Sequence, residues 1–83
     1  QDVPPYILAM GEPLKFSGLN SIGLKRKNFD AKTRTKIKEV YKYIYQSNMN
    51  RSQAISQIQK SLNQIDEIKN ILKFINNSSR GLI

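Results

Sequence analysis

The sequence predicts a mainly α-helical fold, a small bundle preceded by an extended arm, and two observations carry that reading. From residue 30 onward, apolar side chains recur at three- and four-residue spacing in three successive segments, each a stripe of the kind a helix buries. Pro4, Pro5 and Pro13 all fall within the first nineteen residues, with Gly11 and Gly18, so helix-breaking chemistry is gathered at one end.

Residues 1–19 read as the arm. Between the breakers, YILAM (6–10) and LKF (14–16) suit short extended pieces at a sheet edge, because proline has no amide to give to a ladder. The arm is too short to fold alone, and its apolar residues need a surface from elsewhere.

Residues 20–83 read as the helical domain, beginning with a short helical turn around 20–28. Asp30 is placed to cap the first long helix through its carboxylate, ahead of a stripe of Ile37, Val40, Tyr41, Ile44 and Tyr45. SNMN (47–50) ends it. Asn50 followed by Gln53 fits a capping box and starts a helix with Ala54, Ile55, Ile58 and Leu62 inward. Asn63 is the expected cap of the next, with Asp66 and Glu67 in its first turn where the dipole favours anions, and Ile65, Ile68, Ile71, Leu72 and Ile75 as its stripe. NNSSRG (76–81) ends that one. Helices shorter than about 12–15 residues are marginal in isolation, so packing the three stripes together is what holds them. Tyr41 and Tyr45 belong to the core on this reading. Tyr43 points to the opposite face, free for another use.

Composition excludes several function classes. There is no cysteine for a disulfide or thiolate metal site, and no histidine, the side chain most used as a general base near neutral pH. Asp66 and Glu67 adjoin on a helix and point different ways, so they do not aim at one bond. No glycine-rich phosphate loop, metal-ligand cluster or nucleophile–base pair is legible. The chain therefore carries no catalytic residue, metal or cofactor of its own. No apolar run approaches the ~20 residues of a membrane span, and the expected location is the cytoplasm. The start at Gln1 reads as the middle of something longer, a fragment.

The net charge of +8 calls for an acidic partner, and it is unevenly placed. Between Lys25 and Lys42 lie eight cations (25–27, 32, 34, 36, 38 and 42) against Asp30 and Glu39. The stretch GLNSIGLKRKNF (18–29) concentrates three of them behind Gly18 and Gly23. A glycine-hinged bend with arginine's planar fork, mobile lysines and the amide of Asn20 suits a compact diphosphate ligand. A duplex is better served by cations spread over several turns. The residues alone leave that site and a loop exposed for solubility both open. Lys32, Arg34, Lys36 and Lys38 read better as merely the solvated side of a helix.

QDVPPY, then GLNSIGLKRKNF, then YQS late in the first long helix and a terminal SSRGLI together resemble the C-terminal part of the UDP-N-acetylglucosamine acyltransferases of lipid A biosynthesis, over essentially the whole chain. The resemblance implies a homotrimer whose left-handed parallel β-helix, absent from this chain, holds a catalytic histidine. It implies transfer of a 3-hydroxyacyl group from acyl carrier protein to the 3-hydroxyl of UDP-N-acetylglucosamine. Residues 1–19 would then be the exit from the last β-helix coil, and the 83-residue chain alone would be inactive. Asn20 and Arg26 match positions associated with the nucleotide, and Lys27 falls where many members carry a second arginine on phosphate. Ile22 stands where some carry a glutamate, so that contact is not carried over. Asn28 replaces a common glycine and tolerates a left-handed backbone.

Acyl carrier proteins are acidic, and a basic face speeds their encounter in a salt-sensitive way. Lys32, Arg34, Lys36, Lys42 and Arg51 are the residues expected to dock one. The competing readings are an independent basic helical module that binds nucleic acid, and a purely structural cap on a trimer.

Overall fold

The structure, a computed structural model, describes residues 1–62, 64–78 and 81–83. Two antiparallel strands, β1 (Ile7–Met10) and β2 (Lys15–Leu19), precede four helices, α1 (Ser21–Arg26), α2 (Ala31–Tyr45), α3 (Arg51–Ser61) and α4 (Asp66–Asn77). The fold is mainly helical, as the stripes require.

Helix α2 is the centre, packing on both α3 and α4. Ile37, Val40, Ile58, Ile68, Ile71 and Ile75 are all 0% exposed, with Tyr41 and Ala54 at 1%. Fully burying one isoleucine is worth about 1.5–3 kcal/mol, so these contacts outweigh the weak intrinsic tendency of short helices. Ile44, Tyr45, Ile55, Leu62 and Ile65 line the margin of this core, half-buried. Tyr43 does too. It was expected to stand free on the far side of α2, but it packs against the cluster, whose apolar margin is wider than one stripe.

The caps of α2 and α3 follow the sequence. Asp30 Oδ1 accepts from the Thr33 amide at 2.7 Å. Hydrogen bonds from the backbone and side chain of Thr33 hold the Asp30 carboxyl below its ordinary range, with Lys32 and Lys36 adding to the effect. Asn50 and Gln53 form the capping box reciprocally, at 2.9 and 3.0 Å. The expected cap Asn63 lies outside the described residues. Helix α4 starts at Asp66, with Ile65 in the N-cap position lacking a side-chain cap bond, and Asp66 and Glu67 complement the dipole there.

Strands β1 and β2 pair Ile7 with Leu19, Ala9 with Phe16 and Met10 with Lys15. Two steps along β1 thus match three along β2, and the extra residue makes a bulge at Ser17–Gly18. Gly18 supplies the positive φ of +103° that this bulge uses. The hairpin has an inner and an outer face. Ile7 is buried with the helical core, and the Phe16 ring stacks on Tyr45 at 4.4 Å and 8° and on Tyr41 at 5.9 Å. The Tyr41 hydroxyl donates to the Pro5 carbonyl at 2.6 Å. The helices therefore supply a surface for half of the arm. Leu8, Met10 and Leu14 remain exposed on the other half.

The ends are clasped. The Asp2 amide donates to the Gly81 carbonyl at 2.8 Å, the Ile83 amide to the Asp2 carbonyl at 3.1 Å, and the Ser78 hydroxyl to Asp2 Oδ2 at 2.6 Å.

Candidate functional site

The basic triplet does not sit on a bend. Sequence reading placed it behind a glycine hinge at Gly23, but Gly23 is inside α1, and Lys25 and Arg26 form the last turn of that helix with Lys27 at its C-cap. The helix closes with paired bonds, Phe29 N–H to the Leu24 carbonyl and Asn28 N–H to the Lys25 carbonyl, both 3.0 Å. Asn28 adopts φ 63°, the left-handed conformation this closure uses, in keeping with the tolerance expected of it. Cations at a helix C-terminus face the negative end of the dipole, which gives the triplet a local reason to be there. Leu24, 2% exposed, anchors the helix to the core.

Asn20 stands at the other end, as the N-cap. Its Oδ1 accepts from the Gly23 amide at 3.1 Å, and its own amide donates to the Tyr6 carbonyl at 2.9 Å. Half of the side-chain amide that the sequence offered to a ligand is thus used inside the fold; the Nδ2 hydrogens are the part left to donate to one. Gly23 makes room for this arrangement: a Cβ there would lie 2.6 Å from Asn20 Nδ2. Six residues at 1.5 Å rise separate Asn20 from Arg26 by roughly 9 Å along the axis. Lys27, seven positions on from Asn20, returns to the same side. Arg26 and Lys27 are both exposed, and no acidic residue lies in the first turn of α1. Ile22, at 68% exposed, presents bare apolar surface beside them.

The remaining expected residues divide. On α2, Lys32 and Lys36 are one turn apart, and Arg34, Lys38 and Lys42 make a second row. The rows flank the buried Ile37–Val40–Tyr41 stripe on opposite sides, at 100° per residue. Lys32 and Lys36 line a shallow groove with Ser61 and Leu62 at the end of α3. Lys38 and Lys42 line a groove with β2 and the start of α1. Arg51 is exposed at the start of α3. The expected docking set is therefore not one face, and Lys38, read only as solvated helix, belongs to the row nearer α1. Its spacing of four from Lys42 was the available signal. The backbone role of Tyr6, at φ 70°, had none, since nothing in a tyrosine announces a left-handed conformation.

Among the described residues no group of three His, Cys, Asp or Glu is placed to hold a metal, and no helix is long and apolar enough to cross a membrane.

Comparison with known proteins matches this architecture closely. The family described as UDP-N-acetylglucosamine O-acyltransferase, domain 2, matches residues 2–83. The acyl-[acyl-carrier-protein]–UDP-N-acetylglucosamine O-acyltransferase of Thermodesulfovibrio yellowstonii is 42% identical over 82 residues, and that of Syntrophobacter fumaroxidans 37% over 83. Each alignment covers 99% of this chain and 32% of the relative. The crystal structure of a UDP-N-acetylglucosamine acyltransferase from Bacteroides fragilis superposes with a TM-score of 0.95 at 43% identity, over 99% of this chain and 32% of that one. The Francisella novicida enzyme gives 0.88 at 31%, over 99% of this chain and 30% of its own. The chain thus spans about a third of the length of these relatives, and it belongs to the UDP-N-acetylglucosamine O-acyltransferase family as its helical second domain.

Proposed function

We propose that this chain is the C-terminal domain of a cytoplasmic, homotrimeric acyltransferase that moves a 3-hydroxyacyl group from acyl carrier protein to the 3-hydroxyl of UDP-N-acetylglucosamine, the first step of lipid A biosynthesis. Residues 1–19 carry the chain out of a β-helix in the remainder of the protein, and the exposed outer face of the hairpin is surface for that remainder to cover. Residues 20–83 hold substrate. The chemistry of acyl transfer belongs to the rest of the protein, because no histidine is present to serve as base.

The observation that carries this reading is the short helix α1, which sets an asparagine amide at one end and Arg26 and Lys27 at the other with no carboxylate in its first turn. The Nδ2 hydrogens of Asn20 donate to the sugar or base edge. Arg26 offers two parallel N–H donors to phosphate oxygens, and Lys27 adds charge without the fork. Clusters of this kind neutralise a diphosphate and fix its position, which orients the acceptor hydroxyl for a base located elsewhere. Of the two basic rows of α2, one serves the acidic carrier protein. A nucleic-acid module would set its cations along one continuous track, whereas these rows diverge.

The test uses the full-length protein. Arg26→Ala is expected to raise the KM for UDP-N-acetylglucosamine by tenfold or more, about the effect of losing one charge-assisted pair, with the fold and the KM for acyl carrier protein unchanged. Loss of thermal stability without any change in nucleotide KM would assign the helix a purely structural role.

A further inference from the structure

We infer that the groove between β2 and α2 is the docking point for the acidic carrier, taking one apolar side chain flanked by two carboxylates. The inference rests on the reading that this domain docks a carrier protein, and it selects one of the two basic rows. The groove encloses about 250 Å³ and is lined by Phe16, Leu19 and Ser21 on one wall and Lys38, Lys42 and Gln46 on the other. That volume is below the roughly 300–1,000 Å³ of a pocket that encloses a whole small ligand, and suits a single side chain presented by a protein surface. The β2 wall is apolar at Phe16 and Leu19, which the core holds in place from behind. Lys38 and Lys42 are exposed at its wall, and no carboxylate lines it. An apolar anchor in a firm pocket ringed by charge is the arrangement in which few residues carry most of the binding energy.

The competing groove is built differently. Lys32 and Lys36 share theirs with Glu39, it holds about 500 Å³, and it has no aromatic residue on its walls. A carboxylate in the wall opposes an acidic partner at short range. Position agrees with charge. Ser21 is the first residue of α1, so the groove of Lys38 and Lys42 adjoins the helix that bears Asn20 and Arg26, and a carrier seated there lies beside the nucleotide. The row at Lys32 and Lys36 opens instead toward the end of α3.

The experiment reverses each pair in the full-length protein. Lys38→Glu with Lys42→Glu is expected to raise the KM for acyl carrier protein about tenfold at low ionic strength, shrinking to about twofold at high salt. The KM for UDP-N-acetylglucosamine stays unchanged, and Lys32→Glu with Lys36→Glu stays within about twofold for both substrates. An equal or larger effect from the Lys32 and Lys36 pair overturns the groove assignment and leaves carrier docking on this domain standing. If neither pair moves the carrier KM, the docking reading falls as well. Should the charge reversals lower the folded fraction, Lys38→Gln with Lys42→Gln is read in their place, with an expected rise of about threefold, and no rise overturns the assignment.

Discussion

The amide of Asn20 donates to the carbonyl of Tyr6 at 2.9 Å, while the side-chain oxygen of Asn20 accepts from the amide of Gly23 at 3.1 Å. One residue is fixed from both directions. Tyr6 adopts φ 70°, a conformation that costs a non-glycine residue of order 1–3 kcal/mol, and its ring rests on Phe29 at 5.6 Å. The hairpin therefore positions the asparagine that the nucleotide reading depends on.

Gly23→Ala separates the cap from the ligand contact. The new Cβ displaces the Asn20 side chain, losing a cap worth about 1 kcal/mol, yet alanine gains about 1 kcal/mol over glycine in a helix. The two nearly cancel. Urea denaturation of the variant should show almost unchanged stability, while nucleotide affinity of the full-length protein falls as far as it does in Asn20→Ala. Asn20→Ala itself should lose about 1 kcal/mol, having no such compensation.

Tyr41 and Tyr45 lie on one stripe but differ at the hydroxyl. That of Tyr41 is paired with the Pro5 carbonyl, whereas that of Tyr45 is buried with no hydrogen-bond partner among the described residues. An unmade buried bond costs about 1–3 kcal/mol. Tyr45→Phe should raise stability by about 1 kcal/mol, and Tyr41→Phe should lower it by about as much, both measured by chemical denaturation. The ring stack on Phe16 survives either change.

Burial also pushes the Tyr41 phenol above its ordinary value, with Tyr45 and Tyr6 adding to the shift. The unfolded chain releases that proton near pH ~10, where the folded chain keeps it. The folded state then binds more protons, so this contribution is complete below pH ~10 and is lost as pH rises beyond it, at about 1.4 kcal/mol per unit. The advantage of the protein over Tyr41→Phe should therefore vanish at about pH 11 and reverse by about pH 11.5. A difference independent of pH would place the phenol in contact with water.

How much was legible in the sequence depended on whether a feature was local. The cap at Asp30 and the box at Asn50 and Gln53 rest on contacts three residues apart, and both were read directly. The stripe of α4 was also read, because its buried positions recur with one period. Gly23 was misread as a hinge: glycine marks a place where a side chain is not tolerated, and here the cause is Asn20 folding over it, not a positive φ. Tyr43 was set free because a helical wheel does not show how far neighbouring helices wrap around α2. The two diverging basic rows follow from arithmetic at 100° per residue; grouping cations by proximity in sequence hid them.

The clasp at Asp2 yields a prediction about how the arm is held. The Ser78 hydroxyl donates to the Asp2 carboxylate at 2.6 Å, a partly buried bond to a charged group and so worth about 1.5 kcal/mol or more. Ser78→Ala removes it and leaves the backbone bond from Ser78 to Ile75 in place. The arm has two further anchors, the burial of Ile7 and the bond from Tyr41 to Pro5, each comparable in size to the one removed. Local opening is therefore expected at the ends only. Hydrogen exchange should quicken about tenfold at the amides of Asp2 and Ile83, which bridge the two ends, and stay unchanged at the Asn20 amide on Tyr6. Equal quickening at all three would mean that the arm opens as a unit, with the clasp as its principal hold.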